Sequence, residues 1–142
     1  MAPAERLSDE RIQQYLGTKE VAVLALLDAD GSPLAMPMWF LHGPDALAMI
    51  SVAETHKVPR LRRDPRVAVV AESVGPAGDI RGVTVRGRVE FLDESPERRA
   101  LVTRFLAKYH PRLERLWGAP AMPANRVMFR IVPGRVRSWG LG

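Results

Sequence analysis

From Ile80 to Leu92 the chain alternates apolar and polar residues more cleanly than anywhere else along its length. Val83, Val85, Gly87, Val89 and Phe91 fall on one side; Thr84, Arg86, Arg88 and Glu90 fall on the other. A period of two belongs to a half-buried strand and does not fit a helix. A strand of this length with bare edges would pair with other molecules, so the rest of the chain has to supply its neighbours.

Candidate neighbours are plain. Val21 to Leu27 reads as a buried strand, and Asp28-Ala29-Asp30-Gly31-Ser32-Pro33 after it is turn chemistry. Leu34 to Leu41 is a second strand, His42-Gly43-Pro44-Asp45 turns the chain, and Ala46 to Val52 is a third. Val67 to Ala71 is a fourth, with a loop from Ser73 to Asp79 before the alternating strand. Near the end, Val127 to Val132 is a strand, Pro133-Gly134 interrupts it, and Arg135 to Trp139 continues. Pro37 has no ladder donor, so the second strand is expected at an edge, at a bulge or where pairing stops. Bulges often re-aim side chains beside functional sites.

Helices are short and few. Ser8 is the expected cap of a first one, whose stripe is Ile12, Tyr15 and Leu16 and whose end is Gly17. Glu54 to Arg63 predicts a short helix entered through Thr55, with Pro59 tolerable only in its first turn. Ser95-Pro96-Glu97 opens a third, with Leu101, Val102, Phe105, Leu106 and Tyr109 on its buried side and His110-Pro111 at its end. Leu113, Leu116 and Trp117 suggest another turn or two. Tight turns between consecutive strands disfavour parallel α/β architecture. The expectation is a mainly β (α+β) fold, one domain over residues 1–142: about six antiparallel strands closed or nearly closed into a barrel, with flanking short helices.

Several chemistries are excluded or disfavoured. There is no cysteine, hence no disulfide, thiolate metal site or cysteine nucleophile. The three histidines, His42, His56 and His110, sit at turns or helix boundaries without ligand spacing, so no metal site is expected. The chain has no G-x-S-x-G elbow, P-loop or G-x-G-x-x-G turn. No side-chain nucleophile or general base stands out, so a catalytic role would put the hard step on a cofactor. Met1 to Arg6 lacks the apolar core of a signal peptide, and the longest apolar run, Val21 to Leu27, is too short to span a bilayer. The expected compartment is the cytoplasm, with no membrane partner.

The formal net charge of +5 suits an anionic partner such as nucleic acid, a phosphorylated cofactor or acidic lipid. A surface that uses arginine merely for solubility is the bland alternative. The charge is densest from Ser51 to Arg66, where hydroxyls, a helix start and Lys57, Arg60, Arg62, Arg63 and Arg66 follow an apolar strand. Backbone N–H groups and the helix dipole there favour an anion, with Lys57 and Arg60 about one turn apart. A solvated basic helix is the competing reading.

Lys57-x-x-Arg60-Leu61-x-x-Asp64-Pro65-Arg66-Val67 resembles the phosphate-binding segment of the pyridoxamine 5'-phosphate oxidase-like split-barrel flavoproteins, above all the branch that uses the deazaflavin coenzyme F420. Met36-Pro37-Met38-Trp39-Phe40 is similar to that branch's second strand, and Val83-x-Val85-x-Gly87-x-Val89 and Arg126-Val127 through Trp139 match in order and spacing. The resemblance implies a six-stranded FMN-binding type of split barrel whose homodimer forms two cofactor clefts, each lined by both chains. It implies that Ser51, Lys57 and Arg60 hold the cofactor phosphate, that Met36, Pro37, Met38 and Trp39 line the ring, and that Trp139 approaches from the partner chain. The implied cofactor is coenzyme F420, with FMN as the alternative, and the implied activity is hydride transfer to an unsaturated small-molecule substrate.

Arg62, Arg63 and Arg66 would offer the longer anionic tail of F420 an electrostatic track. Pro59 and Arg60 depart from the pattern, since many relatives have Asn at the latter position. The chain ends Ser138-Trp139-Gly140-Leu141-Gly142, without the Trp-Arg-Leu-x-Pro segment of true pyridoxamine phosphate oxidases, so vitamin B6 oxidation is not carried over. Two other classes stay open. One is a carrier that binds the cofactor without turnover. The other is a basic barrel binding nucleic acid through Arg86 and Arg88, for which the two Tyr, three Trp and four Phe offer no stacking pattern.

Overall fold

The computed structural model describes residues 5–141; Met1 to Ala4, read above for the lack of a leader, and Gly142 lie outside the described residues. Six strands form one sheet: β1 (Val21–Leu27), β2 (Pro33–Trp39), β3 (Leu47–Val52), β4 (Arg66–Val74), β5 (Ile80–Leu92) and β6 (Arg126–Trp139). Four helices accompany it: α1 (Glu10–Gly17), α2 (Lys57–Arg63), α3 (Pro96–Lys108) and α4 (Arg112–Trp117). The strand order is β2-β1-β4-β5-β6-β3, and every ladder is antiparallel.

The alternating strand is the spine of this sheet. β5 pairs with β4 from Ile80 to Arg88 and with β6 from Gly82 to Leu92. Val83, Val85 and Val89 are buried, whereas Arg86, Arg88 and Glu90 are exposed. Leu24, Leu47, Met49, Phe129 and Ile131, all 0% exposed, meet these valines inside the curl, and Ile12 and Leu16 of α1 pack against the same core. Burial of such side chains, at roughly 1.5–3 kcal/mol each, stabilises the curl around them.

The two edges of the sheet are β2 and β3. Near the β2–β3 turn they are joined by a backbone exchange, Leu41 N to Ala48 O at 2.9 Å and Ala48 N to Leu41 O at 3.0 Å. Apart from that bridge the edges do not pair, and a second core of Leu41, Ala48, Phe105, Tyr109, Leu113 and Met128 joins β3 and β6 to α3 and α4. The result is a curled half-barrel with short flanking helices, the split barrel that the resemblance implies. Pro37 lies on the edge strand β2, paired on one side only, with Val23. Its missing donor is accommodated there.

Local details differ from the sequence reading for physical reasons. Asp9, not Ser8, caps α1, its carboxylate accepting from Arg11 N at 2.9 Å. α2 begins at Lys57 rather than at Glu54, because the Thr55 hydroxyl turns back to donate to Val52 O at 2.9 Å instead of capping forward. β4 runs on through Ser73 and Val74, which pair with Arg81 and Ile80. Pro133-Gly134 does not break β6: Gly87 pairs with Pro133 and Arg86 with Arg135, so Gly134 is a bulge inside one continuous strand. The start of α3 is as expected, with Ser95 accepting from Arg98 N and Pro96 in the first position.

Candidate functional site

Where β2 and β3 part, a cavity of 260 Å³ opens between the sheet and α4. Met38, Trp39, Ile50 and Ser51 line it from the strands, and Leu113, Leu116 and Trp117 from the helical side. Thr55, Lys57 and Arg126 form its polar end. β3 faces the core at Leu47 and Met49 and turns Ile50 and Val52 toward this space, so the alternation of a strand places the wall.

The polar end is an ordered relay. Lys57 Nζ donates to Ser51 Oγ at 2.9 Å, and Ser51 Oγ lies 3.2 Å from Thr55 Oγ1. Both hydroxyls also face Val52 O, Thr55 Oγ1 at 2.9 Å and Ser51 Oγ at 3.4 Å. Ser51 is 5% exposed. Lys57 has no carboxylate partner among the described residues, and burial pushes its pKa below the usual lysine value. A half-buried ammonium with spare N–H groups and no counter-ion calls for an anion.

Arg126 reaches the same end by a different route. It stands opposite Val52 in the β3–β6 ladder, and its guanidinium donates to Asn125 Oδ1 at 2.6 Å, a neutral acceptor that leaves its charge unspent. The apolar end is closely packed. Trp39 stacks on Tyr109, with ring centres 4.4 Å apart and planes 6° from parallel, and Arg112 sits 5.4 Å from the Trp39 ring centre. The Tyr109 hydroxyl accepts from Phe40 N at 2.8 Å and lies 2.7 Å from Glu20 O, pinning α3 to the start of β1 and the end of β2.

Of the residues singled out in the sequence, the fold brings Met38, Trp39, Ser51 and Lys57 together. Met36 turns inward to the main core, and Pro37 is exposed on the opposite side of β2. Arg60 lies elsewhere: its Nε pairs with the Asp28 carboxylate and its Nη1 donates to His56 O at 2.8 Å. That contact holds the Asp28 carboxyl below the usual range. Trp139, 39% exposed, borders a separate hollow with Arg86, Arg135 and Arg137. Sequence reasoning missed Arg126, Leu116 and Trp117 as parts of one site with Lys57.

The expected anion site at the start of α2 passes to side chains, since this helix has seven residues and His56 makes no side-chain capping bond. Of the proposed arginine track, Arg62 lies 3.9 Å over the Phe91 ring and Arg66 is held by Asp64 at 2.7 Å. Among the described residues no carboxylate or imidazole lines the cavity. No group of His, Cys, Asp or Glu suited to a metal ion occurs among the described residues, and none of their helices is long and apolar enough to cross a membrane. What the arrangement can do is bind an anion that carries an apolar, planar portion.

Residues 8–140 match the family model described as pyridoxamine 5'-phosphate oxidase. A conserved hypothetical protein of Mycobacterium tuberculosis superposes with a TM-score of 0.77 at 27% identity, over 99% of this chain and 89% of its own. A FAD-binding protein of Mesorhizobium loti is similar at 25% identity and a TM-score of 0.71, over 88% of each chain. The heme storage protein HutZ of Vibrio cholerae shares the fold, with a TM-score of 0.74 at 14% identity over 94% of each chain. No curated protein matches the sequence.

Proposed function

The chain belongs to the pyridoxamine 5'-phosphate oxidase family, and from that premise we propose that the cavity between β2 and β3 takes the phosphate-bearing end of a flavin-type cofactor, coenzyme F420 ahead of FMN, for hydride transfer with an unsaturated small molecule. The observation that carries this reading is Lys57: an ammonium drawn out of water, bound to the buried Ser51 hydroxyl and given no carboxylate. A phosphate is the partner that such a group lacks. Arg126 adds a second, planar donor from the facing strand.

The fit is partial in a useful way. At 260 Å³ the cavity is just under the ~300–1,000 Å³ of a pocket that encloses a whole drug-sized ligand. It suits the anionic end, with the ring lying outward along Met38 and Trp39. The uncovered ring face is then work for a second copy of the chain, and apolar surface left exposed at Leu116, Val74, Ile80 and Trp139 supports a homodimer. F420 keeps its place ahead of FMN on Arg126, which lines the cavity beside Lys57 and makes no ion pair with a carboxylate among the described residues.

Bound there, the cofactor would supply the hydride. The chain's part is to anchor the anion through Lys57 and Ser51, to hold the ring edge against the Trp39–Tyr109 stack, and to keep water out with Leu113 and Trp117. Apart from Lys57 and the Ser51 and Thr55 hydroxyls linked to it, the described lining offers no carboxylate or imidazole to serve as an acid, which favours solvent as the proton source. The same feature supports the second reading, a carrier that binds without turnover.

Titration of the full chain with F420, FMN and hemin, followed by visible absorbance, tests the proposal. Saturable binding of F420 or FMN that is weakened in Lys57→Met is the expected result. Binding of hemin alone, or flavin binding indifferent to Lys57→Met, would overturn it. Reduction of activated alkenes by the loaded protein then separates enzyme from carrier.

A further inference from the structure

The outer face of the sheet holds arginines in a register that ordinary strand pairing avoids. Arg66 of β4 stands opposite Arg88 of β5, and Arg86 of β5 stands opposite Arg135 of β6. Like charges directly across a ladder destabilise it. Only Arg66 is compensated, by two hydrogen bonds to the Asp64 carboxylate at 2.9 and 2.7 Å. Arg86, Arg88 and Arg135 make no ion pair with a carboxylate among the described residues.

The bulge at Gly134 builds this arrangement. Were the register unshifted, Gly134 would stand opposite Arg86 and Arg135 opposite core-facing Val85; with the bulge, Val136 takes that place and is 7% exposed, and Arg135 comes beside Arg86. The same face is concave. A trough of 600 Å³ runs over Ala68, Gly87 and Gly134, with the four arginines Arg66, Arg86, Arg88 and Arg135 along it. At Gly87, on the floor of the trough, β6 passes so close that an added Cβ would lie 2.1 Å from Val132 O.

We propose that this trough is a binding site for a small polyanion bearing at least two phosphate or carboxylate groups, separate from the cavity at Lys57. The two arginine pairs are offset by two residues along β5, about 7 Å, so each pair can grip one oxyanion of a single molecule. Guanidinium forks match such oxygens in plane and number. A bound polyanion turns the repulsion across both ladders into shared attraction, which explains why the fold tolerates it. A nucleic-acid strand fits less well, because no aromatic side chain lines the trough for a base to stack on.

The test is calorimetric titration of the full chain with inorganic tripolyphosphate and with citrate, against monophosphate and a short oligothymidylate. Tripolyphosphate, citrate or both should bind ~10-fold or more tighter than monophosphate, and the relative affinities say whether phosphate or carboxylate is preferred. The double variant Arg86→Gln/Arg135→Gln should lose about that factor and, without ligand, melt above the wild type because the repulsion is gone. Lys57→Met should leave the affinity unchanged. No preference over monophosphate, loss of binding in Lys57→Met, or tighter capture of the oligothymidylate would overturn the proposal.

Discussion

Lys57 Nζ donates to Ser51 Oγ at 2.9 Å, and burial of that ammonium pushes its pKa down with no carboxylate to restore it. A bound phosphate restores it, so binding and protonation are coupled: the anion binds the charged form and draws a proton onto Lys57. Lys57→Met should weaken flavin binding by about 10- to 100-fold, the worth of a hydrogen bond to a charged group. In the wild type, affinity should fall as the pH rises into the alkaline range, sooner than an unshifted lysine would give. Absorbance titrations at stepped pH check both.

Lys108 and Tyr109 predict a stability profile with a maximum. Burial pushes Lys108 down to about 8 and Tyr109 up to about 12. Between about 8 and the ordinary lysine value near ~10.4, the folded chain has released the Lys108 proton while the unfolded chain still holds it, so stability rises with pH. Between the ordinary tyrosine value near ~10 and about 12, the folded chain keeps the Tyr109 proton that the unfolded chain loses, so stability falls. Urea denaturation across this range should show the rise and then the fall. Lys108→Met should flatten the rising limb, leaving the smaller contribution of Lys57, which has the same sign.

The Tyr109 hydroxyl is the pin between α3 and the barrel. Tyr109 is 0% exposed, and Phe40 N donates to its oxygen at 2.8 Å. Tyr109→Phe keeps the ring that stacks on Trp39 and removes only the oxygen, stranding a buried N–H and the Glu20 carbonyl. The expected cost is about 1–3 kcal/mol, read by denaturant unfolding.

The fold was legible wherever neighbouring residues alone set the backbone. The alternation of Val83 to Phe91 needs no tertiary information to be a strand, and Ser95-Pro96 needs none to start a helix. The site was legible only in part. Ser51 and Lys57 are six residues apart and find each other locally, but Arg126 joins them through a strand pairing that no local pattern announces. Arg60 looks equivalent to Lys57 on a helix, yet Asp28 in the β1–β2 turn draws it away. Trp139 sits in the right order along the chain and at the far end of β6 from Arg126, because β6 is one long strand and not two short ones.

That long strand depends on Gly87, which makes the sharpest prediction for the fold. β6 crosses β5 at the bulge so closely that a Cβ on Gly87 would lie 2.1 Å from Val132 O and 3.2 Å from Ile131 Cγ2. The first of these is backbone, tied into the ladder, and cannot swing aside as a side chain would. Gly87→Ala should therefore cost at least the ~1–3 kcal/mol of an overpacked interior. Gly134, across the same bulge, is a matched control: a Cβ there would meet Arg86 O at 3.4 Å, an ordinary contact, so Gly134→Ala should cost less than about 1 kcal/mol. Thermal unfolding of the two variants side by side separates strand closeness at Gly87 from any general need for glycine in the bulge, since equal losses would mean that the closeness is not what Gly87 is for.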